Sequence, residues 1–214
     1  MKNPEVRRPP AGLARLARLA FVSAVILAPA LGLSALGVSR EPQRSLPVLG
    51  RVADFALVDQ SRSPVTRAAF DGEPWIANFA FTRCASVCPR LMQRMRAIQR
   101  LAQKNATALR LVTFSVDPVH DDPEVLKGYA EAHGADFSNW EFLTGSEASI
   151  ERIARSFAVA ADGETDPTKP DFGILHSGHL ILVDGSGRIR GYYPSSEEGV
   201  AEKIIADLDR IRAS

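Results

Sequence analysis

Trp75-Ile76-Ala77-Asn78-Phe79-Ala80-Phe81 runs directly into Thr82-Arg83-Cys84-Ala85-Ser86-Val87-Cys88-Pro89, and the fold turns on this junction. The first seven residues are mostly apolar and rich in aromatics, the pattern of a buried central strand. Beyond Cys88, Leu91, Met95, Ile98 and Ala102 recur at helical spacing, so a helix follows the cysteines. Further along, Leu109 to Val116 reads as a second strand closed by Asp117-Pro118. Asp122-Pro123 reads as an N-cap with proline at the first helical position, opening a helix that ends at Gly134. A short strand over Trp140 to Leu143 precedes Ser146, which can cap a helix through about Phe157. Ala161 to Asp171 is polar and dense in turn formers, the composition of an exposed loop. His179 to Val183 and Arg188 to Tyr193 flank Asp184-Gly185-Ser186-Gly187, a strong hairpin signal. Ser195 or Ser196 is expected to start a last amphipathic helix reaching about Arg212. On the N-terminal side, Val52 to Val58 and the run from Pro64 predict a short antiparallel hairpin at the edge of the fold. Alternating strands and helices with a late hairpin give an α/β sandwich around a mixed sheet.

The chain has 214 residues and a formal net charge of +1, which hides an asymmetry. Residues 1–40 hold six basic residues against Glu5, leaving 20 basic and 24 acidic residues in the remainder. A mildly acidic domain with no basic stripe excludes a nucleic-acid partner. From Leu19 to Ser39 there are 21 residues without a charge, enough as a helix to reach roughly the ~30 Å of a bilayer core. Arg7, Arg8, Arg15 and Arg18 precede this stretch, so the positive-inside rule keeps residues 1–18 in the cytoplasm and sends the rest outside. The expected organisation is a basic N-terminus, an anchor over 19–39, a proline- and serine-containing linker over 40–50 and one domain over 51–214. That is a single-pass protein of the inner (cytoplasmic) membrane with an extracytoplasmic C-terminal domain. Pro29 interrupts the apolar run and Ala28-Pro29-Ala30 weakly imitates a cleavage site, so a removed signal peptide is the competing reading, with the same topology.

Only two cysteines occur, four residues apart. A disulfide between them would close almost no loop, so as a structural bridge it would gain little. Placed on the first turn of a helix, Cys84 and Cys88 would share a face, and free N–H groups there favour thiolate over thiol, with Arg83 adding positive charge. A thiolate is both a redox nucleophile and a soft metal ligand. Structural zinc would want four ligands, whereas Cu(I) accepts two thiolates and one imidazole. Of the four histidines, His120 in a turn and His133 at a helix end read as structural. His176 and His179 enter the late hairpin with opposite parity, so one ion would take only one of them, and spacing alone does not choose. Met92 and Met95 at helical spacing read as core.

These segments together resemble the Sco/SenC copper-chaperone family, whose fold is thioredoxin-like. The resemblance rests on Phe81 to Pro89, on Ser115-Val116-Asp117-Pro118 followed by Asp121-Asp122-Pro123, and on His176-Ser177 ahead of the hairpin glycine Gly187, in that order over most of residues 51–214. It implies a thioredoxin-like sandwich in which Cys84, Cys88 and His176, not His179, ligate copper as Cu(I) or Cu(II). It further implies delivery of copper to the binuclear copper centre of a respiratory cytochrome c oxidase, or reduction of that centre's cysteines. The implied partners are the copper-containing oxidase subunit, another copper chaperone or a thiol reductant. Ala85 departs from the family, which often has proline there.

The rival function is a membrane-anchored thiol-disulfide oxidoreductase without a metal role. Ordinary members of that class space their cysteines by two residues and place a cis-proline opposite them, where this chain has Leu175-His176-Ser177. A peroxidase of the peroxiredoxin type needs threonine or serine three residues before its cysteine, and Phe81 stands there.

Overall fold

The computed structural model describes residues 45–162 and 178–213. The basic N-terminus, the anchor over 19–39, most of the linker, the greater part of the 161–171 segment and His176 lie outside the described residues. Among those described, no helix is long and apolar enough to cross a membrane.

Six strands form one mixed sheet. In chain order they are β1 (Gly50–Arg51), β4 (Trp75–Ala80), β5 (Arg110–Ser115), β6 (Trp140–Leu143), β7 (His179–Val183) and β8 (Arg188–Pro194), and in space the order is β1-β8-β7-β4-β5-β6. β4, β5 and β6 run parallel, with Asn78 opposite Thr113 and Phe114 opposite Leu143, while β7 pairs antiparallel with β4 and β8 with β7. All six residues of β4 are buried, as the unbroken apolar run demands of a central strand with both faces covered. The expected N-terminal hairpin forms from β2 (Ala56–Val58) and β3 (Pro64–Thr66). It is a separate two-stranded sheet, joined to the main one through a bridge between Val58 and Thr144.

Strand alternation sorts the core into two layers. Ile76, Ala80, Leu111, Phe142, Leu180 and Leu182 face helices α1 (Cys88–Lys104), α2 (Pro123–Ala132) and α4 (Val200–Arg212), and the cysteines belong to this layer. Trp75, Ala77, Phe79, Val112, Phe114, Ile181 and Val183 face α3 (Glu147–Asp162) and the small hairpin. Here Phe79 stacks on Phe114 at 5.3 Å, with Phe157 edge-on to Phe79 at 5.2 Å. Each such fully buried side chain is worth about 1.5–3 kcal/mol over an exposed one.

The helix signals held at two positions and shifted at two. Asp122 caps α2, its carboxylate accepting from the N–H groups of Glu124 at 2.8 Å and Val125 at 3.0 Å, with Pro123 at the first position. Ser146 accepts from Ser149 N–H at 3.2 Å, but α3 continues past Phe157 to Asp162. The last helix begins at Val200, not at Ser195 or Ser196. Ser195 spends its N–H on the carbonyl of Gly178 at 2.8 Å, and the chain turns before Gly199, at φ +69°, releases it into α4. Leu46 to Arg51 is already fastened to the sheet: Arg190 donates to the carbonyls of Leu46 and Pro47, and Leu49 N–H bonds Ile189 at 2.8 Å.

Candidate functional site

Only Cys88 is helical. It is the first residue of α1, with Val87 as the N-cap and Pro89 next, whereas Cys84 lies in the preceding turn. The expectation that both cysteines share a helix face is therefore corrected. Cys84 N–H bonds the carbonyl of Phe81 at 3.2 Å, and the N–H of Thr82 is spent on Asp121, so residues 81–84 form a turn before the helix can start. The pair still meets, because the turn folds Cys84 back over the helix terminus. No disulfide joins the thiols, both are buried, and they hydrogen-bond to each other.

This arrangement makes the two thiols unequal. Burial works to raise Cys84, but hydrogen bonds from the Cys88 thiol, the Cys88 N–H and Ser86 outweigh it and bring its pKa down to about 7. The Ser86 hydroxyl lies 3.6 Å from Cys84 Sγ. Cys88 is pushed up to about 12, first by burial and then by the hydrogen bond to Cys84, with the nearby charge of Asp121 adding to both. The helix N-terminus thus activates Cys84 from outside, through the free N–H of Cys88, rather than by including it. Arg83 is paired across the turn. Its guanidinium grips Asp117 through Nε at 3.1 Å and Nη2 at 2.6 Å.

The turn is held from below by Asp121, which is fully buried. Its carboxylate accepts from Thr82 N–H at 3.1 Å, Thr82 Oγ1 at 2.6 Å and Ser115 Oγ at 2.6 Å, tying the cysteine turn to the end of β5. Ser115 Oγ in turn accepts from Asp117 N–H at 3.1 Å. In the sequence Asp117-Pro118 reads as the end of a strand and Asp122-Pro123 as a helix cap, whereas Ser115 and Asp121 had no task. The available signal was a serine and an aspartate flanking the end of a buried strand, a place where polar groups need partners.

The histidines separate as follows. His120 Nδ1 lies 2.7 Å from Asp117 Oδ1 and 3.0 Å from Arg83, a hydrogen-bonded turn position that fits its structural reading. His133 closes α2 with its ring edge-on to Tyr129 at 4.5 Å, and burial lowers its pKa, so it is biased against the cationic form that a helix end would favour. His179 opens β7 opposite Pro194. Met92 and Met95 are fully buried in the core layer under the cysteines, as their spacing predicts. Among the described residues no group of three His, Cys, Asp or Glu side chains could hold a metal. The described part of the site supplies two sulfur donors.

A mixed sheet with a dithiol at the start of the helix after its central strand defines a thioredoxin-like protein. Residues 48–213 match the SCO1/SenC family model, and the chain belongs to that family. It is 32% identical over 165 residues to the SCO1 protein homolog of Bacillus subtilis (strain 168), covering 76% of this chain and 83% of that protein. Among solved structures it resembles BsSco, described as having a disulfide switch and as a member of the Sco family of cytochrome c oxidase assembly proteins. That match has TM-score 0.68 and 30% identity over 80% of this chain and 98% of the other. It also resembles Bradyrhizobium japonicum ScoI with copper bound, with TM-score 0.55 and 26% identity over 75% of this chain and 99% of that one.

Proposed function

We propose that this chain is a copper-binding metallochaperone that takes copper as its cargo through Cys84, Cys88 and His176. In this reading it delivers the ion to the binuclear copper centre of a respiratory cytochrome c oxidase, or reduces that centre's cysteines so that copper can enter. The observation that carries the reading is the thiol pair itself. Cys84 ionises near neutral pH, Cys88 touches it, and two soft sulfur donors on one side of a cation suit Cu(I) with one further imidazole. Binding copper would deprotonate Cys88 as well, because a coordinated thiol gives up its proton to the metal. His176-Ser177 is one of the ordered motifs that match the SCO1/SenC family, and this supports His176 as the third ligand. The copper-bound ScoI relative supports the cargo, and membership in the SCO1/SenC family supports the client. An anchor over residues 19–39 would hold the domain on the extracytoplasmic face of the inner membrane, where such a client exposes its copper centre.

The alternative is a membrane-anchored thiol-disulfide oxidoreductase without a metal role. It is favoured by the inequality of the thiols, one lowered in pKa and its partner raised, and by the disulfide switch described for BsSco. Anaerobic copper stoichiometry on the full, reduced chain separates the two. One tightly bound copper in the wild type, lost in Cys84→Ser and in His176→Ala, is expected. A wild type that retains no copper while its thiols still reduce a disulfide substrate would establish the oxidoreductase instead.

A further inference from the structure

Gly178 stands at the root of β7 with φ +69°, in the left-handed region that a side chain rarely adopts. A Cβ placed on it would lie 2.4 Å from Cγ2 of Val87 and 3.0 Å from Oγ of Ser195, so only a hydrogen atom fits. Val87 is the residue immediately before Cys88 and caps α1. Ser195 is buried. It donates its N–H to the Gly178 carbonyl at 2.8 Å, and its own carbonyl accepts from Arg94 Nε of α1 at 3.1 Å. The root of β7 is thereby wedged between the cysteine turn on one side and a turn bonded to the cysteine helix on the other.

We propose that Gly178 and Val87 are positioning residues for the copper-handling centre. Their contact sets how closely the strand root presses on the turn that carries Cys84 and Cys88. The proposal rests on the copper-binding reading above. A close-packed contact of this kind is sensitive in both directions. Adding a methyl at 178 pushes the strand root away from the turn, and trimming Val87 removes the surface it rests on. Neither residue offers a donor to copper, so their effect on the ion passes through the two cysteines of the turn they hold.

The test is a chelator competition for Cu(I) on the full-length, reduced chain, comparing wild type with Val87→Ala, Gly178→Ala and the double variant. Thiol titration and cooperative unfolding serve as controls for the pair and the fold. Each single variant is expected to weaken Cu(I) binding by about 10- to 100-fold, the range seen when the support of a metal ligand is disturbed, with both thiols still titrating. The thiolate-to-copper absorption of the Cu(II)-loaded protein should shift in both. In the double variant the alanine methyl at 178 fills the space vacated at 87, so it should bind Cu(I) more tightly than Gly178→Ala alone. Wild-type affinity in Gly178→Ala, or a double variant no tighter than that single one, overturns the proposal. If Gly178→Ala does not unfold cooperatively, Val87→Leu thickens the same contact from the other side, and wild-type affinity there overturns it equally. A wild type that binds no copper overturns both this proposal and the copper reading. Copper binding that is insensitive to these variants overturns this proposal alone.

Discussion

At the scale of single residues, the two thiols of one short turn differ because hydrogen bonds outweigh burial at Cys84, whereas burial prevails at Cys88. The Cys88 N–H and thiol and the Ser86 groups all serve Cys84, and Cys88 is left buried with its proton. Since the protons of a contacting pair leave in steps, the first should come off near neutrality. Alkylation by iodoacetamide, mapped by mass spectrometry, is expected to modify Cys84 with a half-maximal rate near pH 7 and to leave Cys88 nearly untouched. Equal labelling of both residues at about pH 7.5 would contradict this asymmetry. His133 gives a second prediction. Burial lowers its pKa from 6.5, so the unfolded chain takes up the proton first on acidification. Its contribution to stability is complete above that unfolded value and is lost as pH falls toward the folded one. The wild type should therefore lose more melting temperature between neutral pH and about pH 5 than His133→Gln does, a comparison that cancels groups common to both.

At the scale of elements, helix starts are governed by who satisfies the first N–H groups. α2 has the Asp122 carboxylate on two of them. Asp122→Ala should cost about 1 kcal/mol in denaturant unfolding with an unchanged m-value. The start of α1 has no side-chain cap, and there one free N–H goes to a sulfur instead. The N-terminal signals around Asp122 and Ser146 were legible because the cap and its target are three residues apart. The displaced start of α4 was not, because Ser195 is claimed by Gly178, a partner 17 positions away.

At the scale of the whole molecule, residues 46–51 are strapped to β8 by one buried ion pair. Arg190 and Asp184 meet at 2.8 Å with both side chains buried, and Arg190 also holds the carbonyls of Leu46 and Pro47. Asp184 sits below the usual carboxylate range: burial opposes this, but Arg190, the N–H groups of Arg188 and Ser186, and the Arg188 side chain prevail. Arg190→Ala should destabilise the domain by about 3 kcal/mol, since it leaves a buried carboxylate with only part of its compensation. Hydrogen exchange should report the loss first at the Leu49 and Val52 amides, which bond Ile189 and Gly187 across this strap. Full protection of those amides in the variant would show that the strap holds without the ion pair.

What the sequence by itself determined was local or periodic: the buried run from Trp75, the helical recurrence from Leu91 to Ala102, the hairpin glycines around Ser186 and the cap at Asp122. Each of these depends on neighbours within one turn or one strand, so its physics is contained in a short window. The ordered motifs from Phe81 to Ser177 also carried the family. Tertiary structure decided what brings distant groups together. It placed Cys84 outside the helix, engaged Arg83 on Asp117, set Asp121 beneath Thr82, and seated Gly178 against Val87. For Arg83, Asp121 and Gly178 the deciding partner lies 30 or more residues away in sequence, and a buried polar group or a close-packed surface takes whatever partner the fold presents.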